Sequence, residues 1–332
     1  MILHPAIVAL LLISGLVAGM IAYAAFFGVR ILTHWNISSG SALQLALERS
    51  TYLVSTLVAC ALVLEIASLF LYIYTADSIH SRFVGAMCAA GAFNVNAYGY
   101  PALLLKIANC LLAGLWLIVN YADNKAYDYP LIRKKFILLL VIVPFVIAEA
   151  VLQAGYFLNM SPNIITSCCG SLFGTDQSSV SGDLAALPAR AMMIAFFTTV
   201  GLTVVSAVRH RITGKGEIIF SILAVATFFV SVLSLLSFIT LYFYELPTHH
   251  CPFCILQREY HYIGYLLYAT LIGGVICGAG VGVLAPFKNI KSLSVVVPAV
   301  NGKLVLFSTA CYLMFFGVSV WKIMTASLSL GM

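Results

Sequence analysis

The chain has 332 residues, of which 62% are apolar and 8% charged. A soluble domain carries about 25% charged residues, so this chain lacks the charge needed to wet the surface of a soluble protein of its size. Its 17 Lys and Arg against 11 Asp and Glu leave a scattered excess of +6 with no basic stripe, which excludes a nucleic-acid binder.

A helix needs about 20 apolar residues to cross roughly 30 Å of hydrocarbon. Eight such stretches occur, near 5–32, 51–76, 101–121, 136–158, 188–208, 218–243, 261–285 and 304–327. They are continuously apolar, whereas barrel strands alternate apolar and polar residues. The expected fold is therefore an all-α integral membrane protein of about eight transmembrane helices, one polytopic domain over residues 1–332. Residues 1–24 mimic a signal peptide in that Ala22-Tyr23-Ala24 has the small-x-small form. No Lys or Arg precedes Arg30 and the run is too long for a signal peptide, so it reads as a span.

Cytoplasmic loops carry the excess of Lys and Arg. Arg30 and Arg49, then Lys125, Arg133, Lys134 and Lys135, then Arg209, Arg211 and Lys215, then Lys288, Lys291 and Lys303 fall between alternate stretches. These are 12 of the 17 basic residues, which puts both termini outside the cytoplasm.

Of nine cysteines, Cys60, Cys110, Cys277 and Cys311 lie within the apolar stretches and read as small packing residues. The other five, Cys88, Cys168, Cys169, Cys251 and Cys254, fall on the side assigned as outer, where disulfides persist. Cys88, Cys168 and Cys251 recur at intervals of 80 and 83 residues, and Glu65 and Glu149 at 84. This spacing suggests three Cys-loop helical hairpins plus extra helices.

The sharpest motif is His249-His250-Cys251-Pro252-Phe253-Cys254-Ile255-Leu256-Gln257-Arg258. Pro252 is expected at the first position of the seventh span, with Cys251 near its N-cap and Cys254 one turn inside. A CxxC pair at a helix start has a lowered thiol pKa and opens and closes a disulfide readily. The segment resembles the Cys-x-x-Cys-x-x-x-Arg motif of the DsbB family, bacterial membrane proteins that re-oxidise disulfide-forming enzymes. That resemblance implies that Cys251 and Cys254 pass electrons to a bound quinone and that Arg258 lies beside it. Vitamin K epoxide reductases place a loop cysteine pair before their CxxC, the order that Cys168 and Cys169 have here. The chain differs from both families in its eight spans and its vicinal loop pair.

Cys168-Cys169 suits a strained, easily reduced disulfide, a soft-metal grip or a structural bridge. A metal site could draw on Cys168, Cys169, His249, His250, Cys251 and Cys254, and the outer side also offers Cys88, His80, His261, Met87 and Met160. Thiolates select Cu(I), and imidazole suits Zn or Cu.

Glu65 and Glu149 fall near the centres of the second and fourth stretches. Carboxylates there are costly and commonly serve proton or ion movement, so both are assigned to a proton path toward a quinone or to cation passage. Lys106 is expected to snorkel to the interface. The tyrosines near span ends, Tyr244 and Tyr260 among them, read as aromatic belts.

The leading expectation is a bacterial inner-membrane thiol–disulfide oxidoreductase with periplasmic cysteines, linked to quinone and served by a periplasmic thioredoxin-like protein. The second is a soft-metal, copper-type binding or transport protein supplied by a metallochaperone. The third is a membrane anchor subunit of a larger complex, its cysteines bracing loops.

Overall fold

The computed structural model describes residues 3–37, 39–161, 164–166 and 186–328. These residues are helical, with no β-strand among them beyond an isolated parallel bridge between Val84 and Ile165. The principal helices are α1 (Pro5–His34), α2 (Ala42–Ile79), the short α3 (Ala89–Phe93), α4 (Gly99–Lys125) and α5 (Ile132–Leu158). They are followed by α6 (Ala189–Thr213), α7 (Glu217–Ser234), α8 (Thr240–Tyr244), α9 (Ile263–Leu284) and α10 (Val296–Thr325). Eight helical segments among the described residues are long and apolar enough to cross a membrane, which fits an integral membrane protein. α7 and α8 count as one segment, joined by a π-turn at Leu235–Ile239.

The chain divides into two compact units. The first comprises residues 1–75, 96–160 and 286–300. Here α1 and α4 both pack on α5. Val17, Ile21, Val58, Leu62, Trp116 and Phe136 lie in its buried core. Gly28 allows a close approach, because a Cβ there would stand 3.0 Å from the Phe136 ring. Just before α4, the Asn96 amide donates to the Tyr156 carbonyl of α5 at 3.0 Å.

The α4–α5 turn corrects the charge reading. α5 begins at Ile132, so Lys135 is a helix residue rather than a loop cation, and it is fully buried. Its ammonium lies 2.8 Å from Asp123, whose other oxygen accepts the Leu131 N–H. An ammonium out of water needs a counter-ion, and Asp123 supplies it from the preceding helix.

The second unit comprises residues 76–95, 161–285 and 301–332. α7 packs between α6 and α9. Without a hydrophobic drive between helices in lipid, small residues and side-chain hydrogen bonds hold such contacts. Thr203 and Thr227 hydroxyls pair at 2.8 Å between α6 and α7. Tyr312 donates to the Ala224 carbonyl at 2.6 Å, and Ser308 to that of Gly274 at 2.7 Å. A Cβ on Gly278 would come within 2.4 Å of the Ala224 methyl group. Gly214 and Gly216, with φ of 64° and 92°, make the sharp turn from α6 into α7.

Candidate metal centre

The site belongs to the second unit and is assembled from two loops. The first follows α2. A 3-10 turn at His80–Arg82 leads into Gly85, whose φ is +87°. That conformation favours glycine, and a Cβ there would strike the Thr166 carbonyl oxygen at 2.4 Å. Thr166 in turn donates its N–H to Val84 at 2.9 Å, which anchors the loop. Cys88 follows, extended and fully buried, immediately before α3.

The second loop carries the CxxC. It departs from α8 at Glu245, which turns the chain with φ +55°. The motif does not open a long helix, which corrects the expected N-cap. Cys254 begins a single 3-10 turn, Cys254–Leu256, and a second follows at Arg258–Tyr260. α9 starts at Ile263, after His261 and Tyr262 both adopt left-handed backbone (φ 52° and 57°). Two such residues in succession interrupt helical hydrogen bonding, so Pro252 lies well ahead of the helix. Gly264 lets α9 abut the turn, since a Cβ there would meet the Ile255 carbonyl at 2.9 Å.

Two tyrosines hold this loop. The Tyr244 hydroxyl donates to the Cys251 carbonyl at 2.5 Å and accepts the Ile255 N–H at 3.0 Å, spanning the motif. Tyr268 donates to the Pro252 carbonyl at 2.6 Å. Tyr244 is buried, so its part here is structural rather than that of an interfacial belt residue. Tyr260 packs edge-on against it at 5.0 Å. Burial, then the neighbouring Cys254 and Glu259, raise the Tyr260 phenol above its ordinary value.

The result is a cluster of three thiols. The sulfurs of Cys88, Cys251 and Cys254 all lie within 4.8 Å of one another, and all three residues are buried. Cys88 and Cys251 sulfurs are 3.6 Å apart. His249 Nε2 stands 3.4 Å from Cys254 Sγ. His250 turns to the Leu236 carbonyl in the π-turn, 2.8 Å from its Nδ1. A carbonyl only accepts, so Nδ1 carries the proton.

Two ligands at about 2.3 Å from a tetrahedral ion stand roughly 3.8 Å apart. The Cys88–Cys251 spacing is close to that edge. The donor set is soft sulfur with an imidazole beside it, which suits Cu(I) or Zn(II).

Of the residues singled out in the sequence, Cys251, Cys254 and His249 converge, and Cys88 joins them. Cys168 and Cys169 lie outside the described residues. Arg258 is exposed in the second 3-10 turn. Glu65 and Glu149 belong to the other unit, where both meet Lys106. Lys106 is buried there, 2.5 Å from Glu149, and does not snorkel. Cys88 was visible as an outer-face cysteine, but nothing in its neighbourhood of small residues marks a ligand. No protein-family model, curated protein or solved structure matches this chain.

Proposed function

We propose that the protein is a soft-metal-binding membrane protein, with the thiolates of Cys88, Cys251 and Cys254 as ligands and His249 as the adjoining fourth donor. The observation that carries this reading is the mutual approach of three buried sulfurs from two loops. Burial favours metal holding over disulfide exchange, because exchange requires a partner thiolate to reach a sulfur in line. The chain binds or passes Cu(I) or Zn(II), and a metallochaperone is the partner class on this reading. A bacterial inner membrane with the cysteine loops and both termini on the periplasmic side fits the basic residues of the alternate loops.

The test is direct. The purified protein is loaded with Cu(I) or Zn(II), desalted and assayed for bound metal. About one ion per chain, lost on Cys88→Ser, Cys251→Ser or Cys254→Ser, is the expected result. An unchanged metal content in all three variants would overturn it.

A second reading is favoured by the 3.6 Å contact of Cys88 and Cys251 alone. A quinone beside Arg258 would oxidise these two thiols to a disulfide and become the quinol, and the dithiol of a thioredoxin-like partner would reduce the disulfide again, itself becoming oxidised. Metal-free protein that cycles a Cys88–Cys251 disulfide with added quinone would support it over the metal reading.

A further inference from the structure

We propose that Glu65, Lys106 and Glu149 form an intramembrane proton-exchange site holding one proton shared between the two carboxyls. The cluster lies within the first unit and does not depend on the cysteine site.

Its geometry is unequal. Lys106, on α4, donates to Glu149 at 2.5 Å and to the Ser68 hydroxyl at 2.8 Å. Asn109, one turn further along α4, donates to the second Glu149 oxygen at 2.6 Å. Glu149 therefore has the donors of an ionised carboxylate. Glu65, on α2, lies 3.9 Å from Lys106, and its Oε1 has no hydrogen-bond partner. Both carboxyls thus approach the same Lys106 ammonium from different helices. Glu65, Lys106 and Glu149 are each at most 2% exposed.

The charge count then fixes the proton count. One ammonium balances one carboxylate, and a second carboxylate would be a buried, unpaired charge. The neutral site therefore holds one proton, on Glu65 in the geometry described. The alternative arrangement is equally neutral: the proton moves from Glu65 to Glu149, and the Lys106 ammonium shifts from Glu149 to Glu65. No charge is created, so the step carries a proton from α2 to α5 and needs no other reactant. The Asn109 Oδ1 atom, also buried and unpartnered, offers a further acceptor for a carboxyl proton.

The other titratable groups facing the cluster are neutral or distant. Cys110 lies beside Asn109 on α4 and is fully buried. The Tyr72 ring centre is 5.6 Å from the Lys106 nitrogen, and Tyr156 packs edge-on against Tyr72 at 5.6 Å. From α1, which packs on α5, the Ser14 hydroxyl accepts from the Gln153 amide at 3.0 Å, one turn beyond Glu149.

Infrared spectroscopy of the full chain in lipid vesicles at neutral pH tests this by counting protonated carboxyls in wild-type-minus-variant spectra. One carboxylic-acid band is expected in the wild type, and it shifts after transfer to D2O. Glu65→Gln and Glu149→Gln should each abolish it, because the remaining carboxylate then balances Lys106. Lys106→Met should raise it to two. A band that persists in Glu149→Gln would mean that Glu65 is neutral through burial alone, and would overturn the shared proton. A wild-type band absent from these difference spectra, or unmoved by prolonged D2O, would also overturn the site.

Discussion

The Gln257 side chain donates to the Met87 carbonyl at 2.9 Å, so the turn that carries Cys254 is fastened to the residue before Cys88. A net contribution of about 0.5–1.5 kcal/mol is typical of such a bond. Gln257→Ala removes no ligand, yet it should weaken metal binding by up to roughly tenfold. Competition titration against a chelator of known affinity checks this, and an unchanged affinity would mean that the loops are held together by other contacts.

Metal affinity should fall as the solution is acidified. A thiol must lose its proton to become a ligand, so binding to the three-cysteine cluster releases up to three protons. Calorimetry in buffers of different ionisation enthalpy counts those protons directly. A count of zero would require the thiols to be already ionised without metal.

Tyr244→Phe should destabilise the second unit by about 1–3 kcal/mol, the cost of leaving a buried group unpaired. Two bonds are lost together, and the buried Ile255 N–H has its acceptor removed. The midpoint of thermal unfolding should drop in both metal-free and metal-loaded protein, because the loop itself is loosened rather than a ligand lost.

Removing Lys106 alone should be costly. Breaking a buried ion pair by deleting one partner typically loses about 3–5 kcal/mol. Lys106→Met is expected in that range, and Lys106→Met with Glu149→Gln should cost less than the two single changes added together. Equilibrium unfolding in mixed detergent gives the coupling, and strict additivity would deny the 2.5 Å contact any energetic role.

The end of α10 should loosen in acid. Glu245 accepts from the Ser327 hydroxyl at 2.5 Å and from Lys322 at 3.1 Å. These contacts hold its carboxyl below the ordinary value. With the folded value depressed, the contribution is present above the unfolded value of about 4.3 and is lost as pH falls through the folded one. Amide exchange at Lys322–Ser327 should therefore accelerate relative to opening elsewhere on acidification below about pH 4. Glu245→Gln should remove that pH dependence.

The spans were legible because an apolar run of sufficient length leaves the backbone few alternatives to a helix in lipid. The partnerships inside them were not. Lys106 sits five residues past Pro101 and looks like an interfacial anchor until Glu149, 43 residues away, is brought against it. Lys135 looks like one of four loop cations until α5 is seen to begin before it. Pro252 carries the mark of a helix start, but the backbone of His261 and Tyr262 defers the helix, and neither residue is a glycine that would announce a left-handed turn. The CxxC itself was legible as chemistry. Its third sulfur was not, because residues far apart in sequence meet only through the fold.

Cys88 and Cys251 are separated by 163 residues. At a synthesis rate of about 5–20 residues per second, Cys88 emerges roughly 10–30 s before the sulfur it will lie against. Throughout that interval the first loop lacks the two sulfurs that the second loop brings to it. All three sulfurs exist only once the chain has been made past the sixth helical segment, so a bound ion would report that synthesis had reached that point.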